Sequence, residues 1–141
     1  MPGPDFLVTN VLVYAYDRSD RGKQRIAQEL LRKAVARSGE IVISSQVLGE
    51  FASTLLHKVS PPIRPARLLA LLDALSPITL VRVNADTVRR AVEANAAYGI
   101  HLYDGMIVAA AESAGCVRIW SEDLNPGQKY FGVSVENPFR P

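Results

Sequence analysis

The segment Ile41-Val42-Ile43 followed at once by Ser44-Ser45 leaves this chain few ways to fold. Three β-branched residues in a row suit a short strand buried on both faces, and either serine can cap a helix that starts directly after it. That helix is expected to run to about Lys58. The same alternation recurs along the chain. Asp5 to Val8 reads as a strand, either extended toward Val13 or giving way to a helix at Thr9 or Asn10, because Val8, Val11, Leu12 and Ala15 also fit helical spacing. Arg21 to Arg37 is an amphipathic helix with the stripe Ile26, Leu30, Leu31, Ala34 and Val35, ended by Gly39. Val59 to Pro65 holds three prolines and must be a loop. A helix is expected over Ala66 to Leu75, a strand over Ile78 to Val83, and a helix capped by Asn84 and closed by Gly99. Asp104 opens an apolar helix ending near Gly115. Val117 to Trp120 and Val133-Ser134-Val135 are strands around a turn at Leu124 to Gln128. Strands that alternate with helices imply an α/β fold with a mostly parallel central sheet covered on both faces.

At 141 residues the chain is long enough for one substantial core, and neither a linker nor a repeat divides it, so a single domain over 1–141 is expected. No apolar run approaches the roughly 20 residues of a membrane span, and Met1-Pro2-Gly3-Pro4 lacks the layout of a signal peptide. Cys116 is the single cysteine, which excludes an internal disulfide and fits a reducing cytoplasm. Between Gly115 and Val117 it reads as a small buried hydrophobe. The net charge is only +2, but Arg18, Arg21, Lys23, Arg25, Arg32, Lys33 and Arg37 face just Asp20 and Glu29 over one stretch. That excess could hold phosphates, although a solvated helix face is the simpler account.

Acids stand at the ends of apolar segments: Glu50 one to two turns into the helix that follows Ile41-Val42-Ile43, Asp104 at a helix start, and Glu122-Asp123 after the strand ending at Trp120. In an open α/β sheet, sites form beyond the carboxyl ends of the strands. Carboxylates gathered there make an oxygen-ligand site for a hard cation such as Mg²⁺ or Mn²⁺. Taken singly, each has a plainer role: Asp104 as a helix cap, Glu50 as a boundary residue, Glu122-Asp123 as part of a turn before Asn125-Pro126-Gly127.

Four segments in this order resemble PIN-domain ribonucleases, most closely the toxin component of VapBC-type toxin–antitoxin pairs. They are Thr9-Asn10-Val11-Leu12-Val13-Tyr14-Ala15-Tyr16-Asp17, Ile43-Ser44-Ser45-Gln46-Val47-Leu48-Gly49-Glu50-Phe51, Tyr103-Asp104-Gly105-Met106-Ile107-Val108-Ala109-Ala110-Ala111 and Trp120-Ser121-Glu122-Asp123-Leu124. The ending, Tyr130-Phe131-Gly132 through Glu136-Asn137-Pro138-Phe139, is similar too. The resemblance implies a three-layer PIN-like fold and an endoribonuclease that hydrolyses RNA phosphodiester bonds with a metal-activated water. It implies Mg²⁺ or Mn²⁺ as cofactor, an antitoxin partner and a homodimer, for which the apolar helices between Arg64 and Tyr98 offer surface. Glu50, Asp104 and Asp123 match the family's catalytic and metal-binding acids, Thr9 its small hydroxyl residue, and Glu122 is an auxiliary candidate beside Asp123.

The departure is Val8, which stands where the family has its first aspartate. Valine offers no oxygen ligand. Asp5, three residues away along the strand, lies roughly 10 Å off and on the opposite face, and Asp17 is no better placed. The resemblance therefore implies impaired activity, the alternative being a catalytically silent module of the same fold that binds antitoxin or RNA. Phosphatases and receiver domains also need an aspartate at the first strand's end, and they give no reason for Glu50. His101 reads as a loop residue without a partner, and His57 as a helix-end residue suited to the dipole. Tyr14, Tyr16, Phe51, Tyr103 and Trp120 read as core rather than as a base-stacking surface, given their apolar neighbours.

Overall fold

A computed structural model describes residues 3–140. In chain order the elements are β1 (Asp5–Leu7), α1 (Thr9–Tyr14), α2 (Arg21–Ala36), β2 (Ile41–Ser44), α3 (Ser45–His57), α4 (Pro65–Leu75), β3 (Thr79–Val81), α5 (Ala85–Tyr98), α6 (Leu102–Ser113), β4 (Arg118–Trp120), β5 (Lys129–Tyr130) and β6 (Val133–Glu136). The strands form one sheet in the order β3-β2-β1-β4-β6-β5. All neighbours run parallel except β5 and β6, which form an antiparallel pair at one edge. The expected mostly parallel sheet flanked by helices is therefore the fold observed.

β1 lies between β2 and β4, with Phe6 opposite both Val42 and Ile119. The chain leaves β1 toward β2 on one side and later returns to β4 on the other. Their carboxyl ends thus diverge at a switch point, where α/β sheets bind ligands. Phe6, Leu7, Ile41, Ile43, Ile119 and Val135 are fully buried in the sheet, so both of its faces are covered. Val11 and Leu12 of α1 join Val47, Phe51 and Leu55 of α3 in the core. α6 is buried from Ile107 to Ala111, as its nearly charge-free sequence requires. α5 and α6 approach closely because Gly105 has no side chain. A Cβ there would stand 2.7 Å from the backbone oxygen of Ala91.

Several boundaries differ from the sequence expectation. β1 ends at Leu7 and Val8 caps α1 in extended conformation, so the helical spacing of Val8, Val11, Leu12 and Ala15 wins over a longer strand. α6 starts at Leu102, two residues before Asp104, because His101 supplies the cap: its Nδ1 accepts from the Tyr103 N–H at 3.2 Å. His101 therefore has a partner, and Asp104 lies in the first turn rather than at the cap. The stripe of α2 is turned toward Ala27 and Ala34, which are buried, while Ile26, Leu30 and Leu31 are half-buried and Val35 is exposed. The strand expected from Ile78 to Val83 shortens to Thr79–Val81 at the sheet edge, and β5 follows the turn at Leu124 to Gln128 without a hydrophobic pattern to announce it. Among the described residues no helix is long and apolar enough to cross a membrane.

Candidate functional site

Four separate elements supply one pocket at the switch point. The carboxyl end of β1 brings Val8, Thr9 and Asn10; the carboxyl end of β4 brings Ser121 and Asp123; α3 adds Gln46 and Glu50; the first turn of α6 adds Tyr103 and Asp104. The cavity measures about 310 Å³. Glu50, Asp104 and Asp123, far apart in sequence, are thereby brought to one concave surface, with Thr9 among them. Lys58 also lines the pocket and is its one cationic side chain among the described residues.

Hydrogen bonds fix two of the three acids. Thr9 Oγ1 donates to Glu50 Oε1 at 2.7 Å, linking the start of α1 to α3. Asn10 Nδ2 donates to Asp123 Oδ2, linking the same turn to the loop after β4. That loop is shaped by the buried Ser121, whose Oγ accepts from the backbone N–H groups of Asp123 and Leu124, both at 3.2 Å. Asp104 is held differently. Desolvation in the pocket raises its carboxyl above the usual value, Asp123 and Glu50 push it the same way, and His101 partly opposes them. Asp104 thus feels the charge of the other two carboxylates.

Glu122 is placed elsewhere. Its carboxylate accepts from Lys23 Nζ at 2.5 Å and from the Tyr14 hydroxyl at 2.7 Å, and it does not line the pocket. Burial alone would raise this carboxyl, but the bonds from Lys23 and Tyr14 outweigh it and hold the group below its ordinary value. Glu122 is drawn away by Lys23 and Tyr14, and of the pair only Asp123 lines the pocket. Part of the basic excess around α2 is consumed here, since Lys23 serves Glu122 and also stands 4.9 Å from the Tyr14 ring centre.

Val8 lines the pocket and is buried, so its apolar side chain occupies a wall otherwise made largely of polar groups. Asp5 does not replace it: its Oδ2 accepts from Arg118 at 2.7 Å and from Trp120 Nε1 at 3.0 Å. Asp17 serves a local turn, accepting from the Ser19 N–H at 3.0 Å. Cys116 is buried, which pushes its thiol up to about 12 and removes it as a nucleophile.

Asn10, Gln46, Tyr103 and Lys58 also line the pocket, although the sequence offered no reason to single them out as site residues. The one signal for Asn10 was its place beside Thr9. Tyr103 corrects an expectation: it is 58% exposed, so it belongs to the pocket rim and not to the core. Phe51, by contrast, is fully buried as expected.

The donor set of Thr9, Glu50, Asp104 and Asp123 is all oxygen and carries three negative charges, the chemistry that hard divalent cations favour. Gln46 Oε1 is buried beside the pocket without a hydrogen-bond donor among the described residues. The acids do not form a closed cage: among the described residues no three His, Cys, Asp or Glu side chains group tightly enough for that. The residues fit such a cation in kind, with one wall lacking a ligand at Val8.

A family model described as PIN domain matches residues 6–131. Among solved structures, the chain is similar to VapC20 of Mycobacterium tuberculosis, a Sarcin-Ricin loop cleaving toxin, at 19% identity and TM-score 0.66, over 86% of this chain and 91% of that one. It is similar to a toxin-antitoxin complex from Klebsiella pneumoniae at 19% identity and TM-score 0.69, over 95% and 97%. A DNA-bound VapBC from Salmonella typhimurium is similar at 19% identity and TM-score 0.66, over 98% and 99%. No curated protein matches the chain significantly.

Proposed function

This chain belongs to the PIN domain family, and from that membership we propose that it is a metal-dependent endoribonuclease of the toxin type whose activity is impaired by Val8. The observation that carries the reading is the meeting of Glu50, Asp104 and Asp123 in one pocket at the β1/β4 switch point. Glu50, Asp104 and Asp123 would hold Mg²⁺ or Mn²⁺, which lowers the pKa of a water and offsets charge on the scissile phosphate. Thr9 fixes the Glu50 carboxylate, and Asn10 with the Ser121 turn fixes that of Asp123. Lys58 offers a cationic contact for the RNA backbone. Val8 leaves the fourth wall without an oxygen, and since losses beyond the ligand shell already cost about 10–100-fold, a missing ligand should cost more.

The solved neighbours that are toxin–antitoxin assemblies support an antitoxin as partner, and the single cysteine fits a reducing cytoplasm as its setting. Leu69 on α4 and Val88 and Val92 on α5 are exposed apolar residues suited to a homodimer contact. A second reading rests on Val8 itself: a silent module that keeps the fold and binds antitoxin or RNA without cutting.

Cleavage of a labelled RNA pool in Mn²⁺, by this chain and by Val8→Asp, separates the two. Cutting by Val8→Asp alone, abolished by EDTA and by Asp104→Asn, supports an impaired ribonuclease. Equal cutting by both means that three acids suffice. No cutting by either favours the silent module.

A further inference from the structure

Tyr103 is the one tyrosine of this chain whose ring the fold leaves at the surface of the acidic pocket. Tyr14 packs edge-on against Phe139, Tyr16 against Phe51, and Tyr98 against Tyr130. Tyr103 instead is 58% exposed and lines the cavity next to Asp104. Its backbone is anchored on both sides: the N–H donates to His101 Nδ1 at 3.2 Å, and the C=O accepts from Gln46 Nε2 at 3.1 Å. The ring is also placed, because the His101 imidazole lies 5.4 Å away between ring centres with the planes tilted by 32°. A held but exposed ring leaves apolar surface in water and contributes little to the core.

We propose that Tyr103, supported by His101, is a stacking surface for an unpaired base of single-stranded RNA, seating the strand so that its phosphate meets the pocket. The inference rests on the ribonuclease reading and names how that site takes its substrate. Three carboxylates face a single lysine in this pocket, so a term that does not depend on charge adds to what a bound cation and Lys58 supply toward a phosphate chain. Base–aromatic stacking is such a term and tolerates any base. Lys58 on the same pocket favours an anionic strand over an arginine-bearing peptide, which would gain from the acids but not from a lysine.

The test is a titration of single-stranded RNA carrying 2-aminopurine, in Mg²⁺, with this chain, Tyr103→Phe, Tyr103→Leu and Tyr103→Ala. Stacking predicts fluorescence quenching on binding by this chain and by Tyr103→Phe. It predicts affinity weaker by about 5- to 150-fold for Tyr103→Ala, from roughly 1–3 kcal/mol per stacked base. Tyr103→Leu keeps apolar bulk without a π face and should lose the quenching, and all variants should keep the thermal midpoint because the ring is exposed. Equal affinity and quenching across the set would overturn the stacking role while leaving the ribonuclease reading intact. RNA binding by none of the forms, Val8→Asp included, would overturn both. Loss of binding to an arginine-containing peptide but not to RNA, on Tyr103→Ala, would reassign the ring to a protein partner.

Discussion

Thr9 and Glu50 stand 41 residues apart in sequence and are joined by a 2.7 Å hydrogen bond across two helices. Glu50 is exposed on α3, and an exposed glutamate keeps several rotamers unless something holds it. Thr9, at the first position of α1, is that restraint. Thr9→Val keeps the shape and β-branching but removes the donor. In a Val8→Asp background its RNA cleavage in Mn²⁺ should fall roughly 10–100-fold, the usual effect of losing a partner that orients a ligand. Thr9→Ser, which retains the hydroxyl, should recover most of it.

Asp104 carries a pH signature whose sign follows from its surroundings. Desolvation, reinforced by Asp123 and Glu50, raises its carboxyl in the folded state. The folded protein therefore binds that proton more tightly than the unfolded chain, and the ionised form is a net cost at neutral pH. Acidification relieves the cost as pH falls through the raised folded value toward the unfolded one. Asp104→Asn, neutral throughout, should raise the melting temperature at pH 7 in EDTA, with the advantage shrinking as pH falls through the raised folded value and gone below the usual carboxylate range. Added Mn²⁺ should then stabilise this chain more than the Asp104→Asn variant, since a ligand that binds only the native state adds to its stability. Thermal melts at several pH values, with and without metal, check both signs.

Gly105 tests how α6 presents Asp104. In an isolated helix Gly→Ala gains about 1 kcal/mol. Here a Cβ would lie 2.7 Å from the Ala91 oxygen and 3.2 Å from its Cα, both backbone atoms that cannot rotate away. Overpacking of this kind costs typically 1–3 kcal/mol, so Gly105→Ala should be neutral to destabilising by about 2 kcal/mol in urea unfolding. A stabilised variant would mean that α5 and α6 separate easily.

The order of strands and helices was legible because short β-branched runs and amphipathic spacing specify elements locally. Asn84 and Gly99 cap α5 as the sequence indicated, through a capping box and a left-handed residue at φ 70°. β5 was not legible: Lys129-Tyr130 is a strand only because Val133 and Ser134 pair with it. At the site, the acids Glu50, Asp104 and Asp123 could be picked out by type and by family likeness. The diversion of Glu122 could not, since it depends on Lys23 arriving from α2. Tyr103 misled for a related reason. Its apolar neighbours face α5 and the sheet, while its own position on the helix turns outward, and the helix starts earlier than the acid suggested.

Val8 sets two opposing effects against each other. It is the N-cap of α1 and makes no side-chain cap bond, whereas an aspartate there gains about 1 kcal/mol from capping. The same change removes a buried apolar side chain worth roughly 1.5–3 kcal/mol, and it adds a fourth carboxylate to a pocket where three already repel. The losses exceed the gain. In EDTA, Val8→Asp should therefore be less stable than this chain by about 1–3 kcal/mol in urea unfolding. Saturating Mn²⁺ should narrow or reverse the difference, because a fourth carboxylate both strengthens cation binding and loses its repulsion when the cation is present. If Val8→Asp gained no more stability from Mn²⁺ than this chain does, position 8 would not face the cation, and the impairment assigned to Val8 would have to be withdrawn.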